Sequence, residues 1–180
     1  MFIVGIIVIC IVGTLLHFTY ELSHHNKIVG IFSAVNESTW EHIKICMTPT
    51  LLWSFYEISE VGFTGNFIFA KSMSLLTIIL LIPILFYSYT AFTKKSILWI
   101  DVICFYITVI CSQLVYRYVI NLNNFSNIFI YISTGLIIIE IFFYFYLTYH
   151  ARKNFIFEDP ITHKYGPEGH PCNHDHHHEH

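Results

Sequence analysis

The chain has 180 residues, of which 55% are hydrophobic, 18% aromatic and only 12% charged, with a mean hydropathy of +0.59. Soluble domains carry about 25% charged residues, so this composition excludes an ordinary water-soluble protein and indicates one whose solvent is the lipid bilayer. A formal net charge of −3 and the lack of any basic block leave no footprint for nucleic acid, and no DNA or RNA partner is expected.

Residues 2–20 are an almost unbroken apolar run, about the length needed to cross roughly 30 Å of hydrocarbon. The charged start and small-residue cleavage site of a signal peptide are missing, so the run reads as a retained first span. A polar connection with His24, His25 and Lys27 follows. Residues 39–58 are harder to read: Trp40, Glu41, His42, Lys44 and Glu57 flank an apolar centre of residues 45–56, with Pro49 inside it. A polar helix end can sit among headgroups while its centre crosses, so a span is preferred to a re-entrant element. Three stronger spans follow at 67–92, 97–120 and 128–149, and Pro83 should kink the first of these. The predicted fold is an all-α polytopic membrane helix bundle of about five transmembrane helices over residues 1–150. A soluble, disordered His-rich tail is expected over residues 151–180.

With five spans, Lys27, Lys94, Lys95, Arg152 and Lys153 fall on one side, which the positive-inside rule makes cytoplasmic together with the C-terminus. The setting this suggests is a bacterial plasma membrane. A re-entrant second segment would move residues 36–42 to the outer face.

Those seven residues, Asn36-Glu37-Ser38-Thr39-Trp40-Glu41-His42, are dense in groups that ligate metals or move protons, and they lie between two apolar segments. At the end of the first span, His17, Tyr20, Glu21 and His24 are spaced by three and four, so they form one stripe of a continued helix. Two helices joined by a short connection are antiparallel neighbours, which would bring imidazoles and carboxylates together at one membrane boundary. Such N and O donors suit Zn first, then Fe or Mn. The predicted ligands are His17, Glu21, Glu41 and His42, with Glu37, Glu41 and His42 as catalytic candidates. A plainer reading makes Ser38-Thr39-Trp40-Glu41 a capping box, Glu37 a complement to the helix dipole, and Trp40 and Tyr20 interface anchors.

The motif, with His17-x-x-Tyr20-Glu21 before it and Asp159-Pro160-Ile161-Thr162 and Tyr165-Gly166 after it, resembles an uncharacterised family of small bacterial multi-pass membrane proteins. The resemblance implies a multi-pass fold and brings no activity with it.

Two further intramembrane carboxylates, Asp101 and Glu140, should face the bundle interior. No basic residue lies at the depth of Glu140, so it should be protonated, cation-bound or hydrogen-bonded. Glu57 and Glu60 could neutralise Lys71 and Arg117 near the opposite face. Cys10, Cys46, Cys104 and Cys111 read as small core hydrophobes. In the tail, His174, His176 and His178, with Cys172 nearby, form a tract able to bind Zn or Ni. Phosphate-loop, dinucleotide, nucleophile-elbow and H-E-x-x-H motifs are missing. Three readings remain: a membrane-embedded metal-dependent hydrolase, a metal-handling or proton-coupled transport protein, and a non-catalytic membrane subunit.

Overall fold

In hydrocarbon every backbone N–H and C=O must be satisfied within the protein, and the long apolar runs meet that demand as helices. The computed structural model describes residues 2–122, 125–150 and 153–169. It contains α1 (Phe2–Leu22), a short α2 (Val29–Phe32), α3 (Thr39–Val61), α4 (Gly65–Thr93), α5 (Leu98–Ile120) and α6 (Asn127–Tyr149), then a 3-10 turn at Gly166–Gly169. No strand occurs among the described residues; one isolated bridge joins Glu158 and Tyr165.

Four helices, α1, α4, α5 and α6, are long and apolar enough to cross a membrane. The fifth long helix, α3, has 23 residues, about 34 Å at 1.5 Å per residue, but carries Glu41, Lys44, Glu57 and Glu60. It runs the whole length of the bundle, antiparallel to α1. Gly5 lies against Trp53, Gly13 against Ile45, and His17 against Glu37 and His42. Against α4 it is again antiparallel, with Thr39 bonded to Tyr87 at one end and Glu57 paired with Lys71 at the other. Its charge is tolerated because Glu41, Lys44 and Glu57 are buried and paired inside protein, while Leu52 and Phe55 face outward.

The α1 and α3 backbones approach closely because α1 offers the stripe Gly5, Ile9 and Gly13. A Cβ on Gly13 would lie 2.8 Å from the Ile45 carbonyl oxygen and 2.5 Å from the Phe105 ring. The Ile45 carbonyl is the one that Pro49, four residues on and lacking an N–H, cannot bond. Both proline-containing helices, α3 and α4, continue through their prolines.

Helix ends are set locally. Gly62, at φ +76°, turns the chain out of α3, and the Thr64 hydroxyl accepts from the Phe67 N–H to start α4. The helix order gathers Lys27, Lys94, Lys95 and Lys153 at the motif end. The tail does not part from the bundle at residue 151 as the sequence suggests: over residues 153–169 it folds back on the motif, with Phe157 and Asp159 buried. The expected tract at His174, His176 and His178 lies outside the described residues.

Candidate functional site

The motif loop is built before its chemistry is. Asn36 Oδ1 accepts from the Ser38 N–H at 2.9 Å, an Asx turn that feeds the chain into α3. The Asn36 amide donates to the Gly166 carbonyl at 2.9 Å, and the Trp40 N–H to the Ile156 carbonyl at 3.0 Å. Asp159, fully buried, accepts from Ile161 and Thr162 N–H through Oδ1 and from the Glu37 N–H through Oδ2. The C-terminal strap therefore fixes the backbone of Glu37. Trp40 and Tyr20 are buried rather than placed as interface anchors, and Trp40 packs on Phe157 with ring centroids 5.5 Å apart.

The capping box does not form, since Ser38 makes no side-chain cap. Glu41 instead reaches the Val35 N–H at 3.0 Å and Lys44 Nζ at 2.8 Å, and Lys44 donates to the Gly30 carbonyl at 2.7 Å. This buried pair ties the α2 loop to α3, and its groups are engaged within the protein. Glu21 is exposed one turn beyond His17.

Three motif-region side chains do come together. His17 Nε2 lies 3.3 Å from Glu37 Oε1, His42 Nε2 lies 3.9 Å from Glu37 Oε2, and the two imidazole centroids are 6.3 Å apart. His42 Nδ1 lies 3.0 Å from the Ser38 carbonyl. A carbonyl only accepts, so Nδ1 carries the proton and the lone pair of the neutral ring is on Nε2, toward Glu37. The group opens into a cavity of about 300 Å³ between α1, α3 and α5, walled by Phe18, Trp99, Phe105 and Tyr106. Asp101 lines the same cavity, its oxygens held by the Tyr89 and Ser96 hydroxyls at 2.5 and 2.7 Å. Among the described residues no three His, Cys, Asp or Glu side chains form a ready metal cage.

A second cavity, about 370 Å³, lies under the strap, with Tyr20, Lys27, Lys44 and Tyr165 in its wall. Desolvation and the neighbouring Glu158 carboxylate, which accepts its hydroxyl, push the Tyr165 phenol above its ordinary range. Glu140 is apart from both cavities. It is buried in α6, and neither carboxylate oxygen has a hydrogen-bond partner among the described residues.

The model of a family of unknown function, DUF6512, matches residues 1–167. The chain belongs to DUF6512. The matched region takes in the motif loop, all five long helices of the described residues and the strap through Pro167. Membership bears out the resemblance to an uncharacterised family and supplies no activity. No curated protein and no solved structure matches the chain.

Proposed function

We propose that this DUF6512 chain is a multi-pass membrane enzyme in which His17, Glu37 and His42 hold a divalent cation, zinc first, that activates water to cleave an amphiphilic substrate. One observation carries the reading: two imidazoles and one carboxylate meet at the end of a largely apolar cavity. Two His and one carboxylate with an open position is the donor set of hydrolytic zinc sites. His17 and His42 meet different oxygens of Glu37, at 3.3 and 3.9 Å with ring centroids 6.3 Å apart, so a shared ion would draw the three side chains closer together. The bond from His42 Nδ1 to a backbone carbonyl is the outer support that a metal-bound imidazole uses. The metal would lower the pKa of its bound water to about 7, and Asp101, across the cavity, would take the proton. In this reading Glu37 replaces Glu21 and Glu41 in the ligand set. The lysines at the motif end favour the cytoplasmic side for it in this reading, with the C-terminus on that side too, and the setting is a bacterial plasma membrane.

A metal-handling role is the second reading. Gly169 packs against Asn36, and the sequence after it is rich in His.

The test is metal content by mass spectrometry on a chain ending at Gly169, which keeps the whole strap, beside His17→Ala and His42→Ala versions. About one metal ion per chain, lost in both variants, is the expected result. A metal-free parent chain would refute the site.

A further inference from the structure

The end of the bundle opposite the motif holds a second polar system that the metal reading does not use. Glu57 on α3 and Lys71 on α4 form an ion pair that is almost wholly buried, and Lys71 Nζ also lies 4.4 Å from the Tyr116 ring centre. A cavity of about 200 Å³ reaches this pair, lined by Glu57, Gln113, Tyr116 and Arg117. From there α5 turns a polar stripe inward: Tyr116, Ser112 and Thr108 recur every four residues, with Gln113 beside them, over about 12 Å. Ser72 and Ser74 of α4 are buried too.

Most of these groups lack protein partners. The Tyr116 hydroxyl, Gln113 Nε2, Thr108 Oγ1, Ser72 Oγ and Ser74 Oγ are all buried without a hydrogen bond among the described residues. A hydroxyl or amide in hydrocarbon without a partner is costly, and water offsets that cost where space admits it, as the cavity does beside Gln113 and Tyr116. The stripe ends abruptly. Between Thr108 and Asp101 stands an apolar layer of Ile82 and Phe105, both next to Asp101.

We propose that this stripe is a hydrated proton path, entered from the face opposite the motif through the Glu57–Lys71 pair and gated by the Phe105 layer. The charged groups facing Glu57 are Lys71 from α4 and Arg117 from α5; α5 adds the polar Tyr116 and Gln113, and α1 contributes the ring of Phe2. Glu57 exchanges a proton with water in the cavity, water held by the hydroxyls and the amide passes it along α5, and the dry layer blocks its transfer toward Asp101 until side chains there move. Hydrophobic layers gate pores in this manner by excluding water. The path needs no metal and stands independently of the hydrolase reading.

The test is proton flux into liposomes containing the full chain and an internal pH-sensitive dye, driven by a potassium diffusion potential with valinomycin. Phe105→Ala opens the layer and should raise flux at least tenfold over the unaltered chain. Adding Gln113→Leu, which keeps shape and removes the polar link, should return flux to the unaltered level, and adding Glu57→Gln should do the same. Where Phe105→Ala does not yield a monodisperse protein, Ile82→Ala cuts the same layer. Flux no greater than in protein-free liposomes for both layer variants overturns the proposal. So does a layer-variant leak that Gln113→Leu leaves unchanged, since that leak would not use the stripe.

Discussion

Asp159→Ala should destabilise the protein and free the strap, because that one carboxylate joins two parts of the chain 122 positions apart. Its oxygens accept three N–H groups, at 2.9 Å from Glu37, 2.7 Å from Ile161 and 2.8 Å from Thr162. Hydrogen bonds to a charged acceptor contribute about 1.5–3 kcal/mol each, but the three losses are not equal. Ile161 is 63% exposed, so its N–H and that of its neighbour find water once the carboxylate is gone. The Glu37 N–H sits under the strap and does not. The expected cost is about 2–4 kcal/mol: one stranded donor at about 1–3, plus about 1 for the lost Asx turn. Asp159→Asn separates the parts. Its carbonyl preserves the turn to Ile161 and Thr162, its amide faces the Glu37 N–H donor to donor, and about half the cost or more should remain.

Thermal unfolding in detergent, followed by tryptophan fluorescence, reads the stability, since Trp40 rests on Phe157 of the strap. Limited proteolysis between residues 153 and 169 reads the release. An Asp159→Ala chain within about 0.5 kcal/mol of the parent, with its strap equally protected, would refute the assignment of Asp159 as the clamp on Glu37.

Gly13→Ala should cost about 1–3 kcal/mol, because the new methyl meets a backbone carbonyl and the Phe105 ring and only the ring can move; an unchanged melting temperature would count against close α1–α3 contact. Lys71→Ala strands the buried Glu57 carboxylate and should cost about 3–5 kcal/mol, whereas Lys71→Met with Glu57→Gln should recover most of it; equal losses in both chains would show that the pair is not coupled.

Helix positions were legible because in a bilayer the same apolar run that drives insertion also requires a helix. Thus 67–92 became Gly65–Thr93 and 128–149 became Asn127–Tyr149. The difficulty with α3 has a physical origin. Hydropathy measures fitness to face lipid, and the first half of α3 faces other helices on nearly every side. The convergence of His17 and His42 was also legible, since it follows from two antiparallel helices and a short connection. The placement of Glu37 was not. Spacing by four pairs Glu37 with Glu41 only if both are helical, but α3 begins at Thr39, and the Glu37 backbone is set by Asp159. No local pattern encodes a bond across that separation. Asp159-Pro160-Ile161-Thr162 signalled a turn, and the oxygen left over from that turn could not be assigned from the turn alone.

The polarity of α3 itself constrains function. Buried ion pairs are poor sources of stability, and well-packed apolar residues of like volume commonly replace them without loss. A bundle needing only cohesion would therefore gain little from Glu41–Lys44 at one end of α3 and Glu57–Lys71 at the other. The first pair explains itself, because it bonds the Val35 N–H and the Gly30 carbonyl and so fixes the loop that carries Glu37. The second bonds no loop. It stands at the end of a cavity, beside buried hydroxyls and an amide without partners, and cohesion accounts for none of these. Two Glu–Lys pairs that share α3 thus differ in role: the one at the motif end serves architecture, and the one at the far end is the entry of the proton path proposed above.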